Sequence, residues 1–328
     1  MKMKNIFNIL SILFGTVAVL TSCHREDIPC NEIEVGENPI SFSTVYASLD
    51  TKTDEANAGT TEPSITEFNV WASRTIGTDV DYGVFGSAGQ TVEYNSNLEA
   101  WTYSPVRYWQ EGSYDFFAVA NTPESCTGIL DAAGLTLSFG NDGWDITEDH
   151  SDIILANEDV ENAVGSVPGS VALEFSHQLA KINFCIKNTD PRNPTITIKD
   201  VSISGNKTVA SGLNIGSQST WIFPETESAA QSLTIANAST STDSYTETTG
   251  DFLVFPQMAT LTVSVTYDDV LNGVTTSDYE KSATITTTWV AGKIYSYQIK
   301  LSSDQIQFAE PKVTDWQDGG AADTEIEF

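Results

Sequence analysis

Apolar and polar residues alternate with a period of two through most of the chain from residue 40 onwards. A β-strand turns successive side chains to opposite faces, so this pattern indicates strands that each place one face on a core. The alternating positions are rich in Val, Ile, Thr and aromatic residues, which favour strands. Clear examples are Ile40, Phe42, Thr44 and Tyr46; Val171, Leu173 and Phe175; Ile182, Phe184 and Ile186; and Tyr295, Tyr297 and Ile299. Because no segment keeps a helical period over several turns, the sequence predicts an all-β sandwich protein.

A stretch of small residues, Gly and Pro at residues 163–170 interrupts the alternating segments. Such a composition is typical of a linker between domains. With 328 residues, the chain is long enough for two domains. The sequence therefore predicts an N-terminal β-sandwich over residues 39–164 and a C-terminal β-sandwich over residues 170–328.

The first residues have the layout of an export signal. Two early lysines precede a mainly apolar run, residues 6–20, which is too short for a permanent membrane span. We therefore expect a signal peptide at residues 1–22. The ending Leu20-Thr21-Ser22-Cys23 resembles the lipobox of bacterial lipoproteins, which implies lipidation of Cys23 and cleavage in front of it. The polar and acidic residues 23–38 are interpreted as a tether.

The charge of the chain excludes two classes of partner. It has 45 Asp+Glu against 15 Lys+Arg, a formal net charge of −30. A negative field of this size repels nucleic acid and anionic lipid headgroups, so we expect neither as a partner. Contact with a membrane is instead expected through acyl chains on Cys23, with about 0.8 kcal/mol from each buried methylene.

Residue types used in catalysis and metal binding form no recognisable pattern. Three histidines, His24, His150 and His177, stand far apart, and no nucleophile, phosphate-loop or dinucleotide motif occurs. His177 lies at a strand corner, where we expect a structural hydrogen bond. The acidic stretch 141–152 lacks the spacing of an EF-hand and is interpreted as a solvated loop. The sequence predicts no enzyme, no metal site and no cofactor.

Cysteines and tryptophans leave two questions open. Beyond Cys23 the chain has Cys30, Cys126 and Cys185, and the sequence cannot choose a disulfide pair among them. Cys185 stands in an alternating strand, and we expect it to be a buried, small apolar residue. The seven tryptophans mostly have apolar neighbours, which favours core packing. If they were exposed they could stack on sugar rings, so a surface glycan-binding lipoprotein is the alternative function.

Four segments, in their order along the chain, resemble the fimbrillin family of Bacteroidales, which includes the Mfa-like fimbrial subunits. They are Asp152-Ile-Ile-Leu-Ala156, Val171-Ala-Leu-Glu-Phe-Ser-His-Gln-Leu-Ala-Lys-Ile-Asn-Phe184, Trp289-Val-Ala-Gly-Lys-Ile-Tyr-Ser-Tyr-Gln-Ile299 and Val313-Thr-Asp-Trp316. The resemblance implies two transthyretin-like β-sandwich domains in tandem and a structural, adhesive fimbrial (pilus) subunit without enzymatic activity. It also implies export as a palmitate-bearing lipoprotein to the outer membrane and cell surface. Identical or related fimbrial subunits are the implied partners, and ligands on host or bacterial surfaces stay open.

The resemblance also implies that, in this family, a protease removes the lipidated N-terminus together with the first strand. The open groove is then filled by a strand from a neighbouring subunit, a process called donor-strand exchange. Here the removable strand would be residues 40–47, with Ile40, Phe42, Thr44 and Tyr46 on its alternating positions. Cleavage in the family usually follows arginine, whereas the only basic residue in the loop at residues 50–63 is Lys52. Cleavage after Lys52 and no cleavage at all, as in a fimbrial anchor subunit, therefore both stay open.

The C-terminal segment is the candidate donor strand. Ile306 and Phe308 alternate, as do Ile326 and Phe328 at the end of the sequence. Two interpretations stay open for these residues: they are lent to a neighbouring subunit, or they close a sheet of their own chain.

Overall fold

The computed structural model describes residues 38–45, 65–148, 151–162, 168–192, 195–225, 230–241, 244–247, 250–271, 274–302 and 305–316. These residues belong to one compact unit that begins at Gly36. Several predicted features lie outside the described residues: the signal peptide, Cys23, His24, Cys30, Tyr46, Lys52, His150, residues 163–167 of the linker, Ile326 and Phe328.

The described residues form 25 strands and no helix. Accordingly, no helix among them is long and apolar enough to cross a membrane. In chain order the strands are β1 (Phe42–Val45), β2 (Glu67–Ile76), β3 (Asp79–Asp81), β4 (Gln90–Asn95), β5 (Ala100–Thr102), β6 (Gly112–Ala120), β7 (Thr127–Asp131), β8 (Gly134–Ser138), β9 (Trp144–Asp145), β10 (Ile154–Asn162), β11 (Val171–Glu174), β12 (Ser176–His177), β13 (Ala180–Asn188), β14 (Thr195–Ser204), β15 (Val209–Ala210), β16 (Gly212–Ile215), β17 (Ser219–Ile222), β18 (Gln231–Ser241), β19 (Thr246–Glu247), β20 (Phe252–Val254), β21 (Met258–Leu271), β22 (Val274–Thr288), β23 (Lys293–Leu301), β24 (Ile306–Phe308) and β25 (Lys312–Asp315).

A seven-stranded antiparallel sheet dominates the first half of the chain. Its strands lie in the order β12-β10-β6-β2-β4-β5, with β3 beside β2. In the central strand β6, Phe116 and Ala118 face a first core, whereas Phe117 and Val119 face a second core. Both faces of this sheet are therefore covered along part of β6, which explains why the consecutive residues 116–120 are all buried.

Two sheets enclose a third core in the second half of the chain. A six-stranded sheet has the order β19-β13-β23-β24, with β20 beside β13 and β25 beside β23. A four-stranded sheet has the order β18-β14-β21-β22. Their inner faces bring together Phe184, Val263 and Tyr297, each buried. Another four-stranded sheet, β17-β16-β8-β7, supplies Leu137 and Leu213 to the second core.

The prediction of an all-β protein with sandwich-like stacked sheets is confirmed. The division into domains at residues 39–164 and 170–328 stays a prediction. The expected core packing of tryptophans is also confirmed, because Trp101 and Trp316 are half-buried and the other five are buried. The expectation for Cys185 is wrong. It is half-buried, because the alternation that turns Phe184 and Ile186 into the third core turns Cys185 to the outer face of the sheet.

Candidate functional site

The N-terminal segment, residues 38–45, is held by two different parts of the chain. At its start, the Ile40 amide donates to the Arg107 carbonyl at 2.8 Å, and the Trp109 amide donates to the Asn38 carbonyl at 2.9 Å. Further along, β1 runs parallel to β11, with Phe42 opposite Val171. The Val171 amide donates to the carbonyl of Ser41 at 2.8 Å. The segment thus adds to two short backbone edges rather than entering the middle of a large sheet.

Two side chains of the N-terminal segment are buried in the first core. Ile40 is 1% exposed and Phe42 is 6% exposed. The Phe42 ring lies 5.7 Å from Phe68, 5.9 Å from Phe85, 5.8 Å from Tyr103 and 6.2 Å from Phe116, measured between ring centroids. Burying a side chain of this size contributes about 1.5–3 kcal/mol. These four aromatic residues, with the edges at residues 107–109 and β11, are called the seat below.

Polar contacts fix the direction of the segment in the seat. The Tyr103 hydroxyl donates to the Ile40 carbonyl at 2.8 Å. Burial raises the pKa of Tyr103 above its ordinary value, so the hydroxyl stays protonated as this donor requires. Outside the core, the hydroxyl oxygens of Ser41 and Ser170 lie 2.9 Å apart.

The seat has the properties of a receptor for an extended strand. Without residues 38–45, it would offer open backbone edges and an apolar cavity to any strand with large apolar residues two positions apart, as Ile40 and Phe42 are. Loss of residues 38–45 would expose Phe68, Phe85 and Phe116 to water. Exposed apolar surface beside open backbone donors favours capture of another strand.

Comparison with protein-family models identifies the family of this chain. The model of the family described as "Fimbrillin-like" matches residues 51–316, which is most of the chain. The chain belongs to the fimbrillin-like family. No protein with curated function matches its sequence.

Solved structures share the fold of this fimbrillin-like chain. A fimbrial protein from Bacteroides vulgatus is 16% identical in sequence and has a TM-score of 0.55. The match covers 85% of this chain and 99% of that chain. A proposed cell adhesion protein from Bacteroides uniformis is 19% identical, with a TM-score of 0.50 and coverage of 85% and 98%. One from Parabacteroides distasonis is 12% identical, with a TM-score of 0.50 and coverage of 85% and 96%. At such identities the likeness concerns the fold alone.

The fimbrillin-like chain does not bring all the predicted residues of the site together. The backbone of Thr44 lies in β1, paired with Leu173 of β11. Ile306 and Phe308 form β24, which pairs with β23 and packs against the third core instead of lying near the seat. Of the two interpretations of Ile306 and Phe308, the structure therefore agrees with the second: their strand closes a sheet of its own chain. Tyr46, Lys52, Ile326 and Phe328 lie outside the described residues.

The buried His177 makes the structural hydrogen bond expected from its position. Its Nδ1 lies 2.5 Å from Oδ2 of Asp152, and the Leu179 amide donates to the other oxygen of that carboxylate at 3.0 Å. Burial raises the pKa of Asp152, and the His177 contact acts against this rise. The Trp316 ring stacks on the His177 ring at 3.8 Å and closes the pair off from solvent. No group of metal-binding side chains occurs among the described residues of the fimbrillin-like chain.

Four parts of the seat were missed by sequence reasoning. One is Phe116, which stands in the unbroken apolar run of residues 116–120. Phe85, Tyr103 and residues 107–109 belong to connections in which Gly and Pro interrupt any period of two. Tyr103 does stand two positions after Trp101, and this short alternation was the signal from which its place in the core could have been predicted.

Proposed function

We propose that this chain is a structural, adhesive subunit of a fimbria, and that it polymerises by donor-strand exchange. In this proposal it is exported as a lipoprotein acylated at Cys23 and is anchored in the outer membrane before cleavage. A protease then cuts after Lys52 and removes residues 38–45, and the mature subunit joins identical or related subunits at the cell surface. The proposal includes no catalytic role, since the family is one of fimbrial structural proteins.

One observation carries the proposal. The N-terminal segment fills an apolar seat with Phe42 and Ile40, yet it is attached to the remainder of the unit through short backbone edges. The connection to β2 passes through residues 46–64, which contain Lys52. A single cut in this connection separates the segment covalently from the unit that holds the seat.

The donor strand in this proposal is the C-terminal segment of a neighbouring subunit. Ile326 and Phe328 stand two positions apart, as Ile40 and Phe42 do. Ile306 and Phe308 have the same spacing, but using them would require β24 to leave β23. We therefore favour residues 323–328 as the donor.

Trypsin treatment of the mature chain, residues 23–328, tests the proposal. We expect cleavage after Lys52, a product whose N-terminus is Thr53 by mass spectrometry, and filaments by electron microscopy. Lys52→Gln is the matched control, and it should block both the cut and the filaments. A product beginning at Thr53 that stays monomeric after loss of residues 23–52 would contradict the proposal.

A fimbrial anchor that keeps its lipid is the second candidate. It is favoured by the presence of Lys52 where the family usually has arginine. Resistance of the loop to the proteases of the native cell, with lipid retained on Cys23, would support it. A glycan-binding platform of exposed tryptophans is not proposed, because all seven tryptophans are buried or half-buried.

A further inference from the structure

The four-stranded sheet β18-β14-β21-β22 ends in β22, which is the longest strand among the described residues. β22 pairs with β21 alone, so one of its two backbone edges has no partner strand. No described residue outside β21 hydrogen-bonds to the backbone of residues 282–288. Apart from β18, every other described strand at the end of a sheet has five residues or fewer. A long open edge is a template for pairing with another chain, which is why most edge strands are short or charged.

The two halves of β22 differ in how well they protect this edge. The first half has an irregularity at Asp278, whose φ is 61°, and then the charged Glu280 and Lys281. A bulge and charged side chains both discourage a second strand. Residues 282–288, Ser-Ala-Thr-Ile-Thr-Thr-Thr, contain no charge, no Gly and no Pro, and most of them are β-branched. These seven residues are called the open edge below.

The open edge borders a part of the third core that is incompletely covered. Ile285 points inwards, because its cross-strand partner Leu261 is buried in that core. Ile285 packs against the core, as do Ile306 and Phe308 of β24, a nearby strand of the facing sheet. All three side chains are only half-buried. A strand added beside β22 would therefore gain backbone hydrogen bonds and also remove apolar surface from water.

We infer that the open edge of one copy of this chain pairs antiparallel with the open edge of a second copy, about a two-fold axis. Antiparallel neighbours related by such an axis keep the same side of the sheet in common, so inward residues face inward residues. Pairing all seven residues puts Ile285 on the axis, opposite Ile285 of the second copy. Thr284 then lies opposite Thr286 of the second copy, and the two inward isoleucines extend the third core across the contact.

The charge of the chain favours a second copy in this register. Two copies with a net charge of −30 repel each other, so a close contact between them has to avoid carboxylates. Residues 282–288 are uncharged in both copies, and Glu280 and Lys281 stay outside the paired residues. A register centred on Glu280 or on Lys281 would instead place like charges directly opposite each other, which destabilises a sheet.

This contact goes beyond the proposed function, because it leaves β1 in its seat and needs no strand exchange. A two-fold contact closes with two copies, so in a fimbria it would join two filaments side by side. Pairing of two edge strands buries a small area, which places the contact in the class of weak interfaces. Association should therefore be measured over a wide range of concentrations.

Sedimentation velocity of the mature chain, residues 23–328 with β1 intact, tests the inference. We expect a reversible equilibrium between monomer and dimer. T284K/T286K places lysines directly opposite each other twice and should weaken dimerisation about tenfold or more. T284E/T286E should do the same. An equimolar mixture of the two variants should recover dimers, because each lysine then faces a glutamate, and recovery also shows that both variants fold.

Two further variants separate the open edge from the remainder of β22. T275K/T276K makes the same change in net charge on the same strand, outside the open edge, and should dimerise like the unmodified chain. In the proposed register position 284 faces position 286 of the second copy. Mixed T284C and T286C copies should therefore form an intermolecular disulfide faster under mild oxidation than either variant alone.

Three results of the sedimentation experiment would overturn the inference: a chain that stays monomeric at every concentration, a dimer that survives T284K/T286K, and a mixture that fails to recover dimers. Dimers that appear only after deletion of residues 317–328 would also overturn it, because the chain's own tail would then cover the edge. The proposed function is tested separately, by filaments after trypsin.

Discussion

Phe42 and Phe68 meet edge to face, with ring centroids 5.7 Å apart and planes at 89°. Phe42 belongs to the N-terminal segment and Phe68 to the seven-stranded sheet, so this contact joins the removable segment to the unit that receives it. Phe42 is buried in the first core, and the backbone of the segment pairs with residues 107–109 and along the four residues of β1. We therefore expect side-chain burial to contribute strongly to the attachment of the segment.

Phe42→Ala should lower the free energy of unfolding of the intact chain by about 3–5 kcal/mol, because it leaves a cavity among four aromatic rings. Chemical denaturation measures this loss. Ser43→Ala is the control, since Ser43 is exposed on the same strand and should change the value by less than about 0.5 kcal/mol. Equal effects of the two substitutions would show that the segment does not depend on the seat.

Tyr103→Phe should destabilise the intact chain by about 0.5–1.5 kcal/mol, because it removes the hydrogen bond to the Ile40 carbonyl. The same substitution should have a much smaller effect on a chain that has lost residues 38–45. Unfolding curves of both forms, with and without the substitution, give the comparison. A loss of the same size in both forms would mean that the hydroxyl stabilises something other than the segment.

Asp152→Ala should destabilise the chain by about 3–5 kcal/mol, because it leaves His177 and the Leu179 amide without their buried acceptor. We also expect the tryptophan fluorescence to become stronger or to shift in wavelength, because the ring of Trp316 stacks on His177. Glu124→Ala, an exposed carboxylate removed from a loop, should leave stability and emission unchanged. Retention of full stability in Asp152→Ala would contradict the structural role of the pair.

Alkylation of Cys126 should be slow at neutral and mildly alkaline pH. Burial raises the pKa of its thiol from 9.0 to about 11, so the folded chain holds the proton more tightly than the unfolded chain. At pH 8 the reactive thiolate should be about a hundredfold rarer in the folded chain. The stability that this group contributes is present below pH 9 and is lost as the pH rises through about 11. Iodoacetamide labelling followed by mass spectrometry, with the denatured chain as reference, measures the rate, and equal rates would contradict the burial.

Period-two alternation was sufficient to predict the strand faces wherever one face meets a core. It placed Phe184 and Ile186 inside and, correctly applied, would have placed Cys185 outside. It could not predict that β6 is covered on both faces, because Phe116 to Ala120 read as one apolar run.

The candidate site was predictable only in part, because its two sides come from distant parts of the chain. The sequence predicted Ile40 and Phe42 as core-facing residues of the first strand. It gave no sign that residues 107–109 would pair with residues 38–40, since Pro105 interrupts the pattern there. The Asp152–His177 pair was equally hidden, because a contact across 25 positions leaves no periodic signal.

Photo-crosslinking tests most directly whether the seat accepts a strand from another copy. A benzophenone amino acid at position 328 is placed in isotopically labelled chains, which are mixed with unlabelled chains and treated with trypsin to form filaments. The account predicts crosslinks between labelled and unlabelled copies, to peptides that contain Phe85 or Phe116 of the seat. Crosslinks found only within one copy, or only to surfaces outside the seat, would contradict it.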